Sequence, residues 1–185
     1  MEYQHVVVVM SIVLGLAVTQ LLKGVAQLYR MRNRVRPYWL HGAWVGLLVV
    51  FSLLLWWTFW NYRDIQDWTF FRFVLYLSPV IIFYFLTSIA IPDPSEAVAD
   101  LKEYYFSNRG GFFGTFAIQA VFAGLTAVVV RGLPLLDASN LFRLAMVILM
   151  IVGIRSASER VHAVLVTLGA MLMLAFIVLF QLRLA

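Results

Sequence analysis

Six apolar stretches, each close to the length that crosses a bilayer, leave this chain few ways to fold. They run approximately over 6–28, 40–61, 71–91, 112–130, 141–154 and 161–181, against the roughly 20 apolar residues that a helix needs to span the hydrocarbon layer. Of 185 residues, 63% are hydrophobic and 12% charged, whereas a soluble domain carries about 25% charged residues. A soluble fold of this size has nowhere to bury so much apolar surface. The expectation is an all-α membrane protein, a single domain over 1–185 with six transmembrane helices and one short cytoplasmic amphipathic helix between helices 3 and 4.

The fifth stretch is the shortest, because its unbroken core starts after Arg143 and stops at Arg155. A helix begun at Asp137 or Ser139, both good N-caps, restores the length if Arg143 snorkels toward the headgroups. The segment before the first stretch holds Glu2 and no basic residue. The first stretch is too long for a secretory signal, so a retained first span is expected.

Basic residues orient the bundle. Lys23, Arg30, Arg32, Arg34, Arg36, Lys102, Arg109, Arg155 and Arg160 fall at one set of helix ends; Arg63, Arg72, Arg131, Arg143 and Arg183 fall at the other. The loop with four arginines, 30–36, is therefore expected in the cytoplasm and both termini outside. Anionic lipid is the expected partner of Arg30, Arg32, Arg34 and Arg36. The net charge of +5 has this topological origin, and nucleic acid is not an expected partner. Trp56, Trp57 and Trp60 at one end of the second span, and Tyr38 and Trp39 at the other, fit two interfacial belts. Trp56 and Trp60 also have the spacing of a cation cage.

The one long connection, 92–111, opens with Pro92-Asp93-Pro94-Ser95 and closes with Asn108-Arg109-Gly110-Gly111, a helix start and a helix stop. Between them Val98, Leu101 and Tyr105 recur opposite Glu96, Asp100 and Glu103, the pattern of an amphipathic surface helix. Its acidic face either docks on the arginine loop or is solvated. Arg34-Val35-Arg36-Pro37 and Arg131-Gly132-Leu133-Pro134 are the best internal match, too short to establish inverted repeats.

Chemistry-bearing groups are few. Zero cysteines remove disulfides, thiolate metal sites and thiol nucleophiles. Asp64, Asp67, Asp93, Glu96, Asp100, Glu103, Asp137 and Glu159 lie in loops or helix ends, and neither a membrane-embedded acid/base pair nor a serine/histidine arrangement is apparent. Asp64 and Asp67 lie beside Arg63 and Arg72 as a local neutral loop, and Arg155, Ser156 and Glu159 have the spacing of an ion pair and a capping box. An enzyme is not expected, and no cofactor or metal. Histidines 5, 41 and 162 fall on opposite membrane faces. His41 and His162 share one face, which leaves a haem or metal pair as the least favoured reading.

Polar groups within the spans are expected to turn away from lipid. Thr19, Gln20, Lys23 and Gln27 fall within an arc of about 100° on the first helix, either as the wall of a polar route or as a packing seam with Lys23 at the headgroups. Pro79 removes a backbone bond and frees the Leu75 carbonyl. Tyr76, Tyr84, Thr87 and Ser88 share a side of the third helix, and Thr115, Gln119 and Thr126 a face of the fourth. The expected pathway is therefore a polar cavity of helices 1, 3 and 4 lined by Thr19, Gln20, Lys23, Tyr76, Pro79, Tyr84, Thr115 and Gln119, which binds or passes a small solute or ion. The alternative is a non-catalytic partner or assembly subunit, or a homo-oligomer, using the small-residue seams Ser11/Gly15 and Gly42/Gly46.

The string Arg34-x-Arg36-Pro37-Tyr38-Trp39-x-His41-x-x-Trp44 followed by Trp56-Trp57-x-x-Trp60 resembles a group of small uncharacterised bacterial six-helix inner-membrane proteins. A first helix like 5–22 and a third ending near Ile91-Pro92-Asp93 extend the likeness over about the first half of the chain. The resemblance implies a bacterial inner membrane and no particular activity.

Overall fold

The computed structural model describes residues 2–92 and 100–182. They are helical: α1 (Glu2–Arg30), α2 (Trp39–Thr58), α3 (Phe70–Ala90), α4 (Leu101–Val129), α5 (Ala138–Arg155) and α6 (Glu159–Phe180), with a 3-10 turn, Phe59–Tyr62, extending α2. All six are long and apolar enough to cross a membrane. Contacts close them into a ring in the order α1, α3, α4, α5, α6, α2 and back to α1, with α2 also touching α3 and α4. One end of the ring carries the arginine loop and the α5–α6 turn; it is called the loop end below. The opposite, terminal end carries the α2–α3 and α4–α5 connections.

The helical period sorts side chains between bundle and surroundings. On α1, Val6, Met10, Leu14, Ala17 and Leu21 are buried while Val8, Ile12, Leu16 and Leu22 are exposed, the three-to-four spacing of a helix with one packed stripe. On α6, Val164, Leu168, Met171, Leu174 and Val178 form an exposed apolar stripe, which suits a helix facing acyl chains. Close approaches rest on small residues. A Cβ added to Gly153 of α5 would stand 2.8 Å from the Phe113 ring of α4, and Gly24 of α1 sits against Ile91.

α5 starts where its caps predict. Asp137 Oδ1 accepts from the Ser139 backbone N–H at 2.9 Å and from its hydroxyl at 2.6 Å. α4 departs from expectation. It runs without interruption from Leu101 through Asn108-Arg109-Gly110-Gly111 to Val129, so the signal read as a helix stop lies inside a helix and the segment from 101 onward is the beginning of the fourth span. Packing overrides the glycines' low propensity here: Tyr104 Oη donates to the Ile89 carbonyl at 3.0 Å and Tyr105 Oη meets His162 Nδ1 at 2.8 Å. The expected positions of Asp93, Pro94, Ser95, Glu96 and Val98 lie outside the described residues. Just past the helix end, Gly132 has a φ of +71°, a left-handed conformation that glycine adopts without cost.

The loop end is tied together across the sequence. The Leu101 N–H donates to the Arg36 carbonyl at 3.1 Å, and Lys102 pairs with Glu159 at 2.6 Å. Glu159 is thus engaged by α4 and not by Arg155, correcting the expected local pair. Ser158, not Ser156, precedes the first turn of α6. At the terminal end Arg63 pairs with Asp64 at 3.6 Å, whereas Arg72 reaches the Asp67 backbone carbonyl at 2.9 Å. The halves are packed differently, α1 chiefly on α3 but α4 chiefly on α5, and so give the short internal match no structural counterpart.

Candidate functional site: a cavity in the terminal half of the bundle

The residues expected to line one pathway are divided. Thr19, Gln20, Lys23 and Tyr84 do come together, with Gln27, Ser88 and Tyr104, along a groove between α1 and α3. Gln20 Nε2 donates to Ser88 Oγ at 2.7 Å. The groove is open to the outside of the bundle: Thr19 and Lys23 are exposed and Tyr84 is 36% exposed. The reason lies in α1 itself, whose packed stripe is apolar and leaves the polar arc at its margin.

Tyr76 and Pro79 belong to a different space, a cavity of about 140 Å³ in the terminal half. Its wall is apolar, with Met10, Leu54, Val80, Phe116, Met146 and Phe176 contributed by all six helices. Its polar rim is Asn61, Tyr62, Arg131, Arg143 and Gln181. Asn61 Nδ2 donates to Gln181 Oε1 at 3.3 Å, joining the ends of α2 and α6. Thr115 borders neither this cavity nor the groove. Gln119 is wholly buried, and neither side-chain polar atom has a partner among the described residues.

Pro79 behaves as its chemistry predicts. The Leu75 carbonyl that it leaves without an intrahelical donor is met by Ser78 Oγ at 2.7 Å and, from α4, by Thr126 Oγ1 at 3.0 Å. The orphan is satisfied by hydroxyls, as a membrane interior requires. No known protein family, curated protein or solved structure matches the chain. The cavity must be read from its own chemistry.

Two cations shape that chemistry. Arg143 turns back toward the first turn of α5. Its Nη1 donates to Ser139 Oγ at 2.9 Å and Asn140 Oδ1 at 2.8 Å, and its guanidinium lies 5.4 Å from the Phe176 ring centroid. Arg131 stands 5.7 Å from the Tyr62 ring centroid. Among the described residues neither is within salt-bridge distance of a carboxylate. The nearby Asp137 is turned to Ser139, whose hydroxyl and N–H hold its carboxyl below the usual carboxylate range. Sequence reasoning used both arginines for topology, for the bounds of the fifth span and for the internal match, and placed neither at a site. An ionisable residue inside an apolar stretch, as Arg143 is, was the signal available.

Toward the loop end, aromatic rings stand behind the cavity floor. Trp44 meets Phe112, Phe113 and Phe116 edge to face at 5.8, 5.4 and 6.1 Å, and Phe51 lies 5.4 Å from Phe116. His162, wholly buried, completes this layer. Its Nε2 faces the Ser156 carbonyl at 3.0 Å, an acceptor only, so Nε2 carries the proton and Nδ1 accepts from Tyr105 Oη. His41 Nε2 likewise donates to the Ala90 carbonyl at 2.8 Å, satisfying the end of α3. Both histidines are fastened to backbone, and no cluster of metal-binding side chains occurs among the described residues. Trp56 and Trp60 are exposed, as interfacial anchors are.

Proposed function

We propose that this protein is a bacterial inner-membrane protein that binds a small solute in the terminal-half cavity, with the arginine loop cytoplasmic and both termini periplasmic. The cavity carries the reading. It is walled mainly by apolar side chains, has a short polar rim, and is comparable in size to a protein cavity of about 150 Å³ known to hold benzene. The aromatic layer beneath it favours a binding site over an open channel, and transport through the bundle requires those rings to part. The sidedness follows from the basic loop, where Arg30, Arg32, Arg34 and Arg36 suit anionic lipid.

The test is thermal unfolding of the purified protein in nanodiscs against a panel of small apolar solutes. A ligand at about 100 times its Kd adds roughly 2.7 kcal/mol to stability. Ala123 lines the cavity, so Ala123→Phe is expected to abolish that gain. A gain undiminished by Ala123→Phe, or no gain with any solute, removes the proposal.

A second reading, an assembly subunit or homo-oligomer, has one observation in its favour. Gly42 and Gly46 face outward, and a Cβ at either position would meet nothing within 4 Å. Their seam is not used within the bundle and is available to a helix of another chain. Gly42→Leu weakening a complex retained on mild purification is the outcome this reading requires.

A further inference from the structure

We propose that the ligand of the terminal-half cavity is a hydrophobic monocarboxylate, with a hydrocarbon body of about benzene's size and its carboxylate received by Arg143 and Arg131; this rests on the cavity being a binding site.

The wall excludes polar solutes and the rim selects charge. A sugar or amino acid placed among Met10, Leu54, Val80 and Phe116 leaves its hydroxyl or ammonium groups without partners, at a cost that grows with each one. A plain hydrocarbon fills the wall but leaves the rim unused. At that rim two guanidiniums face the same cavity without a carboxylate within salt-bridge distance among the described residues. Arg143 uses Nη1 for Ser139 and Asn140, and no further hydrogen bond occupies Nε or Nη2 among the described residues. Those edges of the guanidinium form the fork that accepts a carboxylate. A cation partly withdrawn from water and only partly offset by Asp137 is costly, and an anionic ligand reduces that cost directly.

Independent support comes from Tyr76. It lines the cavity and is 3% exposed, yet its hydroxyl has no hydrogen-bond partner among the described residues. A buried phenol normally finds an acceptor. A carboxylate supplies acceptors only, which is what one phenol and two guanidiniums lack. One negative charge suits the site better than two, because Asp137 lies close enough to both arginines to offset part of their charge.

Benzoate and hexanoate are the acid probes, with benzyl alcohol and hexan-1-ol as matched neutral controls and acetate as the head without a body. Binding is read by calorimetry on the full chain in nanodiscs of zwitterionic lipid. The acids are expected to bind at least about tenfold more tightly than the alcohols, the size of effect that a charge-assisted pair gives, and acetate not at all. Arg143→Gln should lower acid affinity by about tenfold and leave the alcohols unchanged. Should that variant fail to fold, Arg131→Gln and the acid-to-alcohol ratio of the unaltered protein carry the test. Alcohols binding as tightly as acids, with both lost in Ala123→Phe, overturn the carboxylate assignment and keep the cavity as a site. No binding of either class overturns both. Displacement of a co-purified lipid acid by hexanoate supports the assignment; a neutral lipid resident in the cavity opposes it.

Discussion

Thr126 has a single hydroxyl proton and two carbonyls within reach, Leu75 at 3.0 Å and Phe122 at 2.8 Å. Only the Leu75 contact crosses from α4 to α3, at the point where Pro79 leaves the ladder incomplete. Thr126→Val keeps the shape and removes the donor. It is expected to cost about 1 kcal/mol, with Thr126→Ser close to neutral. Ser78 meets the same oxygen, so Thr126→Val and Ser78→Ala should cost more together than the sum of the two, which a double-mutant cycle of thermal unfolding reads directly. Gly153 is constrained differently. A methyl group there must displace the Phe113 ring, which is wholly buried against Trp44, Tyr105, Phe112 and His162. Gly153→Ala should therefore lower stability by about 1–3 kcal/mol, the cost of overpacking.

The beginning of α5 and the middle of α4 show how far local signals reach. Asp137 caps α5 through Ser139, and its depressed carboxyl gives the cap a defined pH dependence. Its contribution is complete above the carboxyl's unfolded value, about 4, and is lost as pH falls through the lower folded value. Asp137→Asn, which retains the cap without the charge, should flatten that acid-side loss in a series of unfolding scans; an unchanged slope would assign the loss to another group. This cap was legible because capping is local chemistry. The end signal at Gly110-Gly111 was legible too, but wrong, because tertiary bonds from Tyr104 and Tyr105 carry the helix through it. Gly110 is exposed, has ordinary helical φ and has nothing within 4 Å of an added Cβ. Gly110→Ala is thus expected to stabilise the protein by about 0.5–1 kcal/mol. A loss of stability would mean that the chain bends there.

At the scale of the whole molecule, six spans followed directly from hydropathy, whereas the cavity did not. Angular arithmetic assigns Thr19, Gln20 and Lys23 to one arc of α1, but which arc faces inward depends on which neighbour packs there. The apolar stripe through Met10, Ala17 and Leu21 took the interior, and the polar arc was left on the surface. Tyr76 and Pro79 line the cavity, yet Arg131 and Arg143 flank the α4–α5 connection and Gln181 follows α6, so these companions meet Tyr76 only when the ring closes. The same closure gives the bundle two unequal halves, hollow at the terminal end and filled by aromatic rings toward the loop end. This asymmetry predicts one-sided access, and a chain without cysteine permits a clean measurement. Single cysteines replacing Ala123, in the cavity wall, and Ser107, exposed near the loop end, should react differently with a membrane-impermeant maleimide. In intact spheroplasts Ala123→Cys is expected to be modified from outside and to be protected by cavity ligand, while Ser107→Cys reacts only after the membrane is opened. The reverse order would invert the topology drawn from the arginine loop. Modification of Ala123→Cys from both sides would show that the aromatic layer opens, and would turn the cavity from a closed binding site into one station of a route across the membrane.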